Sequence, residues 1–167
     1  MPAAVGNRQR RILLPTAVAA RAARHALAAV GRPAGTVEIA LVDDAEIRRL
    51  NAAYRGVRRR TDVLAFPLEM PDAPGQLVGQ VVVSVDTARR QARRIGVTLA
   101  DELALLVTHG TLHLVGYDDR DPVEADLMHR RERAILEASH PRLSRRLWRG
   151  LLPPARPRAR RGGRRGR

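Results

Sequence analysis

The 167-residue chain contains no cysteine and no lysine, and only four of its residues are Trp, Tyr or Phe. Without cysteine it forms neither a disulfide nor a thiolate metal site, and it has no cysteine nucleophile. Any metal must therefore be held by histidine and carboxylate side chains. The shortage of aromatic residues argues against a nucleic-acid surface built mainly on stacked rings. No apolar run reaches the roughly 20 residues of a membrane-spanning helix, so we expect no membrane partner.

Because lysine is absent, all 31 basic residues are arginines, and with 17 acidic residues they give a formal net charge of +14. The planar guanidinium group can bind phosphate through two hydrogen bonds, and a protein of this charge attracts polyanions. RNA is therefore a more natural partner than a membrane surface. A GC-rich genome would explain the choice of arginine over lysine equally well, but it would leave the total charge unchanged.

The length and composition predict one globular domain over residues 1–150, followed by a basic tail over residues 151–167. Hydrophobic residues make up 44% of the chain and charged residues 29%, which is a normal balance for a folded domain. Beyond Leu152 the chain has seven arginines, no acidic residue and no core-forming side chain. We expect this tail to be disordered, because it has nothing to offset the entropy of ordering.

An apolar run from Ile12 to Ala20, preceded by arginines, is a weak imitation of a secretory signal. The run is short, contains Pro15 and continues past Arg21 as an alanine-rich segment, as an internal helix would. We therefore expect a cytoplasmic protein.

Hydrophobic periodicity and capping residues predict an α+β domain. The predicted order is one helix, one strand, one helix, two strands and three helices. The expected strands cover residues 37–42, 62–66 and 77–85. The expected helices cover residues 16–30, 44–56, 86–94, 98–116 and 121–138.

The most informative segment runs from His109 to Asp119 and reads His-Gly-Thr-Leu-His-Leu-Val-Gly-Tyr-Asp-Asp. His109 and His113 are four residues apart on a predicted helix, so their imidazoles lie one turn above each other and can bind one metal ion. Gly116 ends the helix and lets the chain turn Asp118 and Asp119 back toward them. Three protein ligands would leave a fourth position for water, as in catalytic zinc sites.

An isolated pair of histidines at this spacing is more often structural, and it is the turn after the pair that favours a metal site. The helix has Gly110 where the His-Glu-x-x-His proteases have their general base, which argues against peptidase chemistry. The turn brings Tyr117, Asp118 and Asp119 back toward the histidines, and the residues alone leave open which of them supplies the third ligand.

The segment from 109 to 119 resembles the signature of the YbeY family, His-Gly-x-Leu-His-Leu-x-Gly-Tyr-Asp-His. Other matching motifs together span roughly residues 37–136; they are Asn51-x-x-Tyr54-Arg55-Gly56, Thr61-Asp62-Val63-Leu64-x-Phe66-Pro67, the strand near 81–84, and Met128 with Glu132. The resemblance implies a small mixed sheet packed with helices, the YbeY-like metal-hydrolase fold. It also implies a single-strand-specific, metal-dependent endoribonuclease acting in ribosomal RNA maturation and ribosome quality control. Its expected partners are ribosomal RNA and the ribosome or ribosomal proteins.

This sequence departs from the family pattern at three places: it has Asp119 for the third histidine, Gln80 for an aspartate after Gly79, and Ala65 for a serine. Only Asp119 would touch the metal, which the family usually binds as zinc through three histidines. A carboxylate is an established zinc ligand, so the resemblance implies one zinc ion on His109, His113 and Asp119. Asp118, His129 on the next helix, and a site that has lost its metal are the alternatives. The negative charge of Asp119 should make the metal less effective at lowering the pKa of its bound water.

The resemblance also implies the residues that act on RNA. Arg55 matches the family's arginine and is expected to hold the scissile phosphate, while His109 is expected to be catalytic through the metal. The alternative is that Arg55 is a solvated arginine at a helix end. Two rival functions stay open: a ribosome-associated assembly factor with a mainly structural metal, and a metal hydrolase acting on another substrate. The sequence leaves the oligomeric state open.

Overall fold

The computed structural model describes residues 3–9, 12, 14, 16–54, 63–68 and 77–150. Four strands are present: β1 (Ala3–Asn7), β2 (Thr36–Val42), β3 (Val63–Pro67) and β4 (Leu77–Ser84). Five α-helices accompany them: α1 (Thr16–Ala29), α2 (Asp44–Ala53), α3 (Val85–Ile95), α4 (Leu99–Leu114) and α5 (Pro122–Ser139). A short 3-10 helix covers Arg145–Gly150. The predicted α+β class and the mixed sheet are confirmed.

The strands form one sheet in the order β1-β2-β4-β3. The first three strands of that order run parallel, with Ala3 opposite Val37 in one pair and Val42 opposite Ser84 in the other. β3 lies at the far edge and is antiparallel to β4. The sheet therefore places the ends of β2 and β4 side by side, where α2 and α3 begin.

Two elements were not predicted from the sequence, and several predicted boundaries differ by one or two residues from those in the structure. β1 consists of Ala-Ala-Val-Gly-Asn, which has weak strand propensity, and it forms because β2 offers it a parallel partner. The 3-10 helix at Arg145–Gly150 was also missed, although Leu147 is fully buried. α3 begins at Val85 rather than at residue 86, because Ser84 caps it by accepting a hydrogen bond from the Thr87 amide at 3.3 Å.

Alternate residues of the strands face two different cores. On one face, α1 and α4 cover side chains such as Ile39, Val81 and Val83. On the other face, α2 covers a smaller cluster that includes Ala40, Leu64 and Val82. The domain is thus a sheet between two helix layers, and its larger core lies between the sheet and α4.

α4 is the central helix and is buried along most of its length. It begins as predicted at Thr98, whose side chain accepts a hydrogen bond from the Asp101 amide at 3.1 Å. Gly110 lies where the helix approaches the sheet most closely: a Cβ there would be 2.6 Å from Val81 Cγ1 and 3.2 Å from Val63 Cγ2. Glycine at this position lets the last turns of α4 lie directly against β3 and β4.

Among the described residues, no single helix is long and apolar enough to cross a membrane. Val85–Ile95 and Leu99–Leu114 reach that length and composition only as a pair, and they are bent by 119° where they meet.

Candidate metal centre

The last turns of α4 bring two imidazoles together. His109 and His113 lie on one face of the helix, and their Nε2 atoms are 3.0 Å apart. The two rings meet edge to face, with centroids 4.6 Å apart. His109 is buried at the inner end of the pair, while the side chain of His113 remains 21% exposed. The site therefore has a closed side at His109 and an open side at His113.

The turn after α4 folds the chain back over these rings. Gly116 has a φ of +102°, which favours glycine, and the Tyr117 amide donates to the carbonyl of Leu112 at 3.1 Å. The turn carries the carboxylate of Asp119 to within 3.7 Å of His109 Nε2 and 3.8 Å of His113 Nε2. One ligand atom from each of these three residues lies within 4.8 Å of the others. The structure thus brings together the three residues singled out in the sequence.

Glu132 of α5 holds the inner histidine. Its side chain is completely buried, and its Oε1 contacts His109 Nδ1 while its Oε2 lies 3.2 Å from His129 Nδ1. Burial alone would raise the pKa of Glu132, but the two neighbouring histidines outweigh it and lower the pKa to about 2. Glu132 is therefore a carboxylate at neutral pH and accepts a hydrogen bond from His109.

The outer histidine is held by the backbone. His113 Nδ1 lies 2.9 Å from the carbonyl oxygen of Tyr117, which can only accept, so Nδ1 carries the proton. Burial lowers the pKa of His113, and the proximity of His109 lowers it further, which favours the neutral ring. In a neutral ring protonated at Nδ1, Nε2 is an acceptor.

The donor set fits a metal ion. In both histidines Nδ1 is engaged, by the Glu132 carboxylate and by the Tyr117 carbonyl, so the Nε2 atoms are the ones that meet, 3.0 Å apart beside the Asp119 carboxylate. Two imidazole nitrogens and one carboxylate oxygen form a donor set that catalytic zinc sites use. Histidines that bind metals regularly donate their other ring nitrogen to a carboxylate or a backbone carbonyl, as these two do.

The two alternative third ligands lie elsewhere. Asp118 Oδ1 accepts from the backbone amides of Asp119 and Arg120, at 2.8 and 3.2 Å. His129 points its Nδ1 at Glu132, and its ring centroid is 6.4 Å from that of His109. Among the residues that the structure describes, the close group of ligand atoms contains neither of them.

Other predicted functional residues lie outside the described residues. These are Arg55, the arginines at 58–60 and the tail over 151–167. Tyr54 precedes Arg55 at the end of α2, and its ring is 5.1 Å from that of Phe66.

Comparison with known proteins identifies the family. A family model described as "Endoribonuclease YbeY" matches residues 5–140. The chain belongs to the YbeY family. Relatives named endoribonuclease YbeY include those of Anaeromyxobacter sp. (strain Fw109-5), 46% identical over 118 residues, and Moorella thermoacetica, 48% identical over 123 residues. These matches cover 71% and 67% of this chain, and 61% and 79% of the respective relatives. The chain thus spans less than two thirds of the length of the Anaeromyxobacter protein.

A solved structure shares the fold of this YbeY-family chain. The solution structure of TM1509 from Thermotoga maritima superimposes with a TM-score of 0.54 at 26% sequence identity. The match covers 87% of this chain and 89% of that protein. The two proteins therefore share the fold described above.

The sequence analysis assigned no role to Glu132 or to the Tyr117 carbonyl. A signal for Glu132 was available: it shares one face of α5 with Met128, Ile135 and Leu136, all of them buried. A carboxylate on such an apolar stripe needs a charged or hydrogen-bonding partner. The Tyr117 carbonyl carries no sequence signal, because a backbone acceptor is supplied by conformation alone.

Proposed function

We propose that this protein is a metal-dependent endoribonuclease that cleaves single-stranded RNA in ribosomal RNA maturation and ribosome quality control. One zinc ion per chain would be held by His109, His113 and Asp119. The observation that carries the proposal is the pair of Nε2 atoms, 3.0 Å apart beside a carboxylate, with both Nδ1 atoms already engaged. The names of the relatives and the net charge of +14 support RNA as the substrate.

Each residue of the centre would have a distinct task. When bound, the ion would supply Lewis acidity toward a phosphoryl oxygen and would lower the pKa of a bound water. His109 is anchored by Glu132 at the closed side, where only 4% of its side chain is exposed. His113 and Asp119 are 21% and 14% exposed. The scissile phosphate would therefore approach from the side of His113 and Asp119.

Arg55 is the proposed phosphate-binding residue. It follows Tyr54 at the end of α2 and matches the arginine of the family motif. A guanidinium can hold two phosphate oxygens at once and can stabilise the charge that develops during hydrolysis. The arginines at 58–60 and those of the tail over 151–167 would raise the local concentration of RNA without touching the reacting atoms. We place this activity in the cytoplasm, at the ribosome.

The decisive experiment follows the cleavage of an end-labelled single-stranded RNA by purified protein, with the metal content measured on every sample. His113→Ala should lose both the metal and cleavage. Arg55→Lys keeps the charge but not the two-pronged geometry, so it should keep the metal and most RNA affinity while turnover falls at least tenfold. Arg48→Lys, on the exposed side of α2, is the matched control and should behave as the wild type.

Cleavage at the wild-type level by both His113→Ala and Arg55→Lys would show that the nuclease is a contaminant. The chain would then be better described as a ribosome-associated assembly factor with a mainly structural metal.

A further inference from the structure

A small cavity adjoins the metal centre on the far side of the turn after α4. Its volume is about 250 Å3, and its walls come from that turn and from the first two turns of α5: Val115, Gly116, Tyr117, Asp118, Glu124 and Leu127. The turn connects the two sites directly. The carbonyl of Tyr117 accepts from His113, and Asp118 precedes Asp119 in the chain. A group in this cavity would therefore lie next to whatever is bound at the metal.

The cavity is unusually apolar for the surface of this protein. Leu127 is 55% exposed at its edge, and Val123, one turn earlier on α5, is 67% exposed. Among the described residues, these are two of only four large hydrophobic side chains that are exposed. The volume is below the range of about 300–1,000 Å3 that is usual for drug-sized ligands, so it suits one flat ring system of the size of a purine. Next to the centre proposed to cleave RNA, such a group is a nucleobase.

The charged side chains of the cavity are the carboxylates of Asp118 and Glu124. Asp118 already accepts from two backbone amides and lies 3.5 Å from Arg120. Glu124 is exposed and makes no hydrogen bond or ion pair with any described residue. A carboxylate repels phosphate but accepts two hydrogen bonds from neighbouring donors. The cavity is therefore matched to the base of a nucleotide and not to its phosphate.

Among the four bases, guanine alone presents two adjacent donors, N1–H and the N2 amino group, on its pairing edge. Adenine and cytosine present an amino group beside an acceptor, and uracil presents one N–H between two carbonyls. We propose that this cavity is a base subsite that selects guanine next to the scissile phosphate. Glu124 would accept both guanine donors, and Leu127 would cover the ring. This subsite rests on the proposed endoribonuclease function and specifies its substrate.

The first test sequences the fragment ends produced from a randomised single-stranded RNA pool. For the wild type we expect guanine to exceed uracil at one side of the cut by about five-fold or more, the discrimination of a good two-bond contact. Glu124→Gln replaces one acceptor by a donor and should reduce this preference below two-fold. Glu137→Gln, an exposed residue of the same helix paired with Arg133, is the matched control and should keep the wild-type preference.

The second test needs no catalysis. Guanosine titrated into wild-type protein should shift the NMR signals of the Gly116 amide and the Leu127 methyl groups more than uridine does. Leu127→Ala should weaken the binding of both nucleosides. Cutting without base preference, or an unchanged guanine preference in Glu124→Gln, would overturn the subsite, and so would equal shifts with the two nucleosides. If no RNA is cleaved but guanosine shifts these signals selectively, the proposed function fails, and the cavity is a guanine-binding site without a role in cleavage.

Discussion

Two clusters of polar side chains in this domain contain carboxylates, and they differ in the balance of donors and acceptors. At the ends of β2 and β4, Asp44 accepts from Ser84 Oγ at 2.6 Å, from Thr87 Oγ1 at 2.7 Å and from Arg90 Nη2 at 2.9 Å. At the end of α4, the atoms that face one another are two imidazole Nε2 atoms and the Asp119 carboxylate. The first cluster joins one carboxylate to several hydrogen-bond donors, whereas the second brings together three atoms that could bind a metal ion.

The number of carboxylates in a cluster therefore does not distinguish a metal site from a cluster held by hydrogen bonds. Burial would raise the pKa of Asp44, but the hydrogen bonds from Ser84, Thr87 and Arg90 lower it, so these donors stabilise the charge. At the centre on α4, the available donors are used behind the rings, on Glu132 and Tyr117. Because these hydrogen-bond donors point away from the two Nε2 atoms and the Asp119 carboxylate, we expect a metal cation between those three groups.

The largest effect should come from the metal centre itself. Asp119→Ala removes one of three ligands and should weaken metal binding by at least tenfold, whereas Asp119→His restores the residue of the family motif and should keep or tighten it. Competition with a chromophoric chelator measures both affinities. Asp118→Ala is the matched control and should stay within twofold of the wild type. An unchanged affinity for Asp119→Ala would move the third ligand to Asp118 or His129.

A smaller effect on metal affinity is expected from Glu132, which contacts the ligand His109 without being a proposed ligand itself. Glu132→Gln keeps the size of the side chain but replaces one acceptor by a donor and removes the charge behind His109. Metal affinity should fall about tenfold, the lower end of what such supporting residues contribute. Isothermal titration with zinc measures the affinity, and circular dichroism checks that the variant is folded. Wild-type affinity in a folded Glu132→Gln protein would mean that the ring of His109 is positioned by α4 alone.

The smallest effect should come from the Asp44 cluster at the ends of β2 and β4. Asp44→Asn loses one acceptor from a part-buried network, and we expect the free energy of unfolding to fall by about 1–2 kcal/mol. Metal affinity should not change, because the cluster lies at the Ser84 end of β4, whereas the end of α4 meets β4 at Gly79. Urea denaturation of the metal-free protein measures the stability. A loss of metal binding in Asp44→Asn would contradict the assignment of metal binding to the centre on α4 alone.

The same variant has a defined pH signature. The pKa of Asp44 is lower in the folded protein than its ordinary value of 3.8. Its stabilising contribution is therefore fully present above pH 3.8 and is lost as the pH falls below it. The stability difference between the wild type and Asp44→Asn should shrink in acid and stay constant from pH 5 to 7. A difference that grows in acid would reverse the assigned direction of the shift.

Most of the architecture could be predicted from the sequence because strong local signals coincide with the fold. The predicted helix from 98 to 116 has a Thr98 cap, a continuous apolar stretch and a terminal glycine, and α4 follows it closely. β1 lacks such signals: its five small or polar residues become a strand only through pairing with β2. Such elements form only because of tertiary contacts, which a local sequence pattern does not contain.

Part of the candidate site could likewise be predicted from the sequence, and part of it could not. The spacing of His109 and His113, with a glycine after the helix, predicts that the residues of the following turn come back toward them, and the family motif selects Asp119 among those residues. The support behind the rings is not predictable in this way, because Glu132 arrives from α5 and the Tyr117 oxygen belongs to the backbone. The role of Arg55 rests on the family motif, and it stays a prediction.

The contact at Gly110 also limits the chemistry that the α4 helix can acquire. In the His-Glu-x-x-His proteases the residue after the first histidine carries the general base. Here that position faces Val81 and Val63 so closely that even a methyl group would lie 2.6 Å from Val81 Cγ1. A glutamate would have to push α4 off the sheet and with it both histidines. Conversion to a peptidase by a single substitution is therefore blocked sterically, and a designer would first have to shorten the valines of β3 and β4.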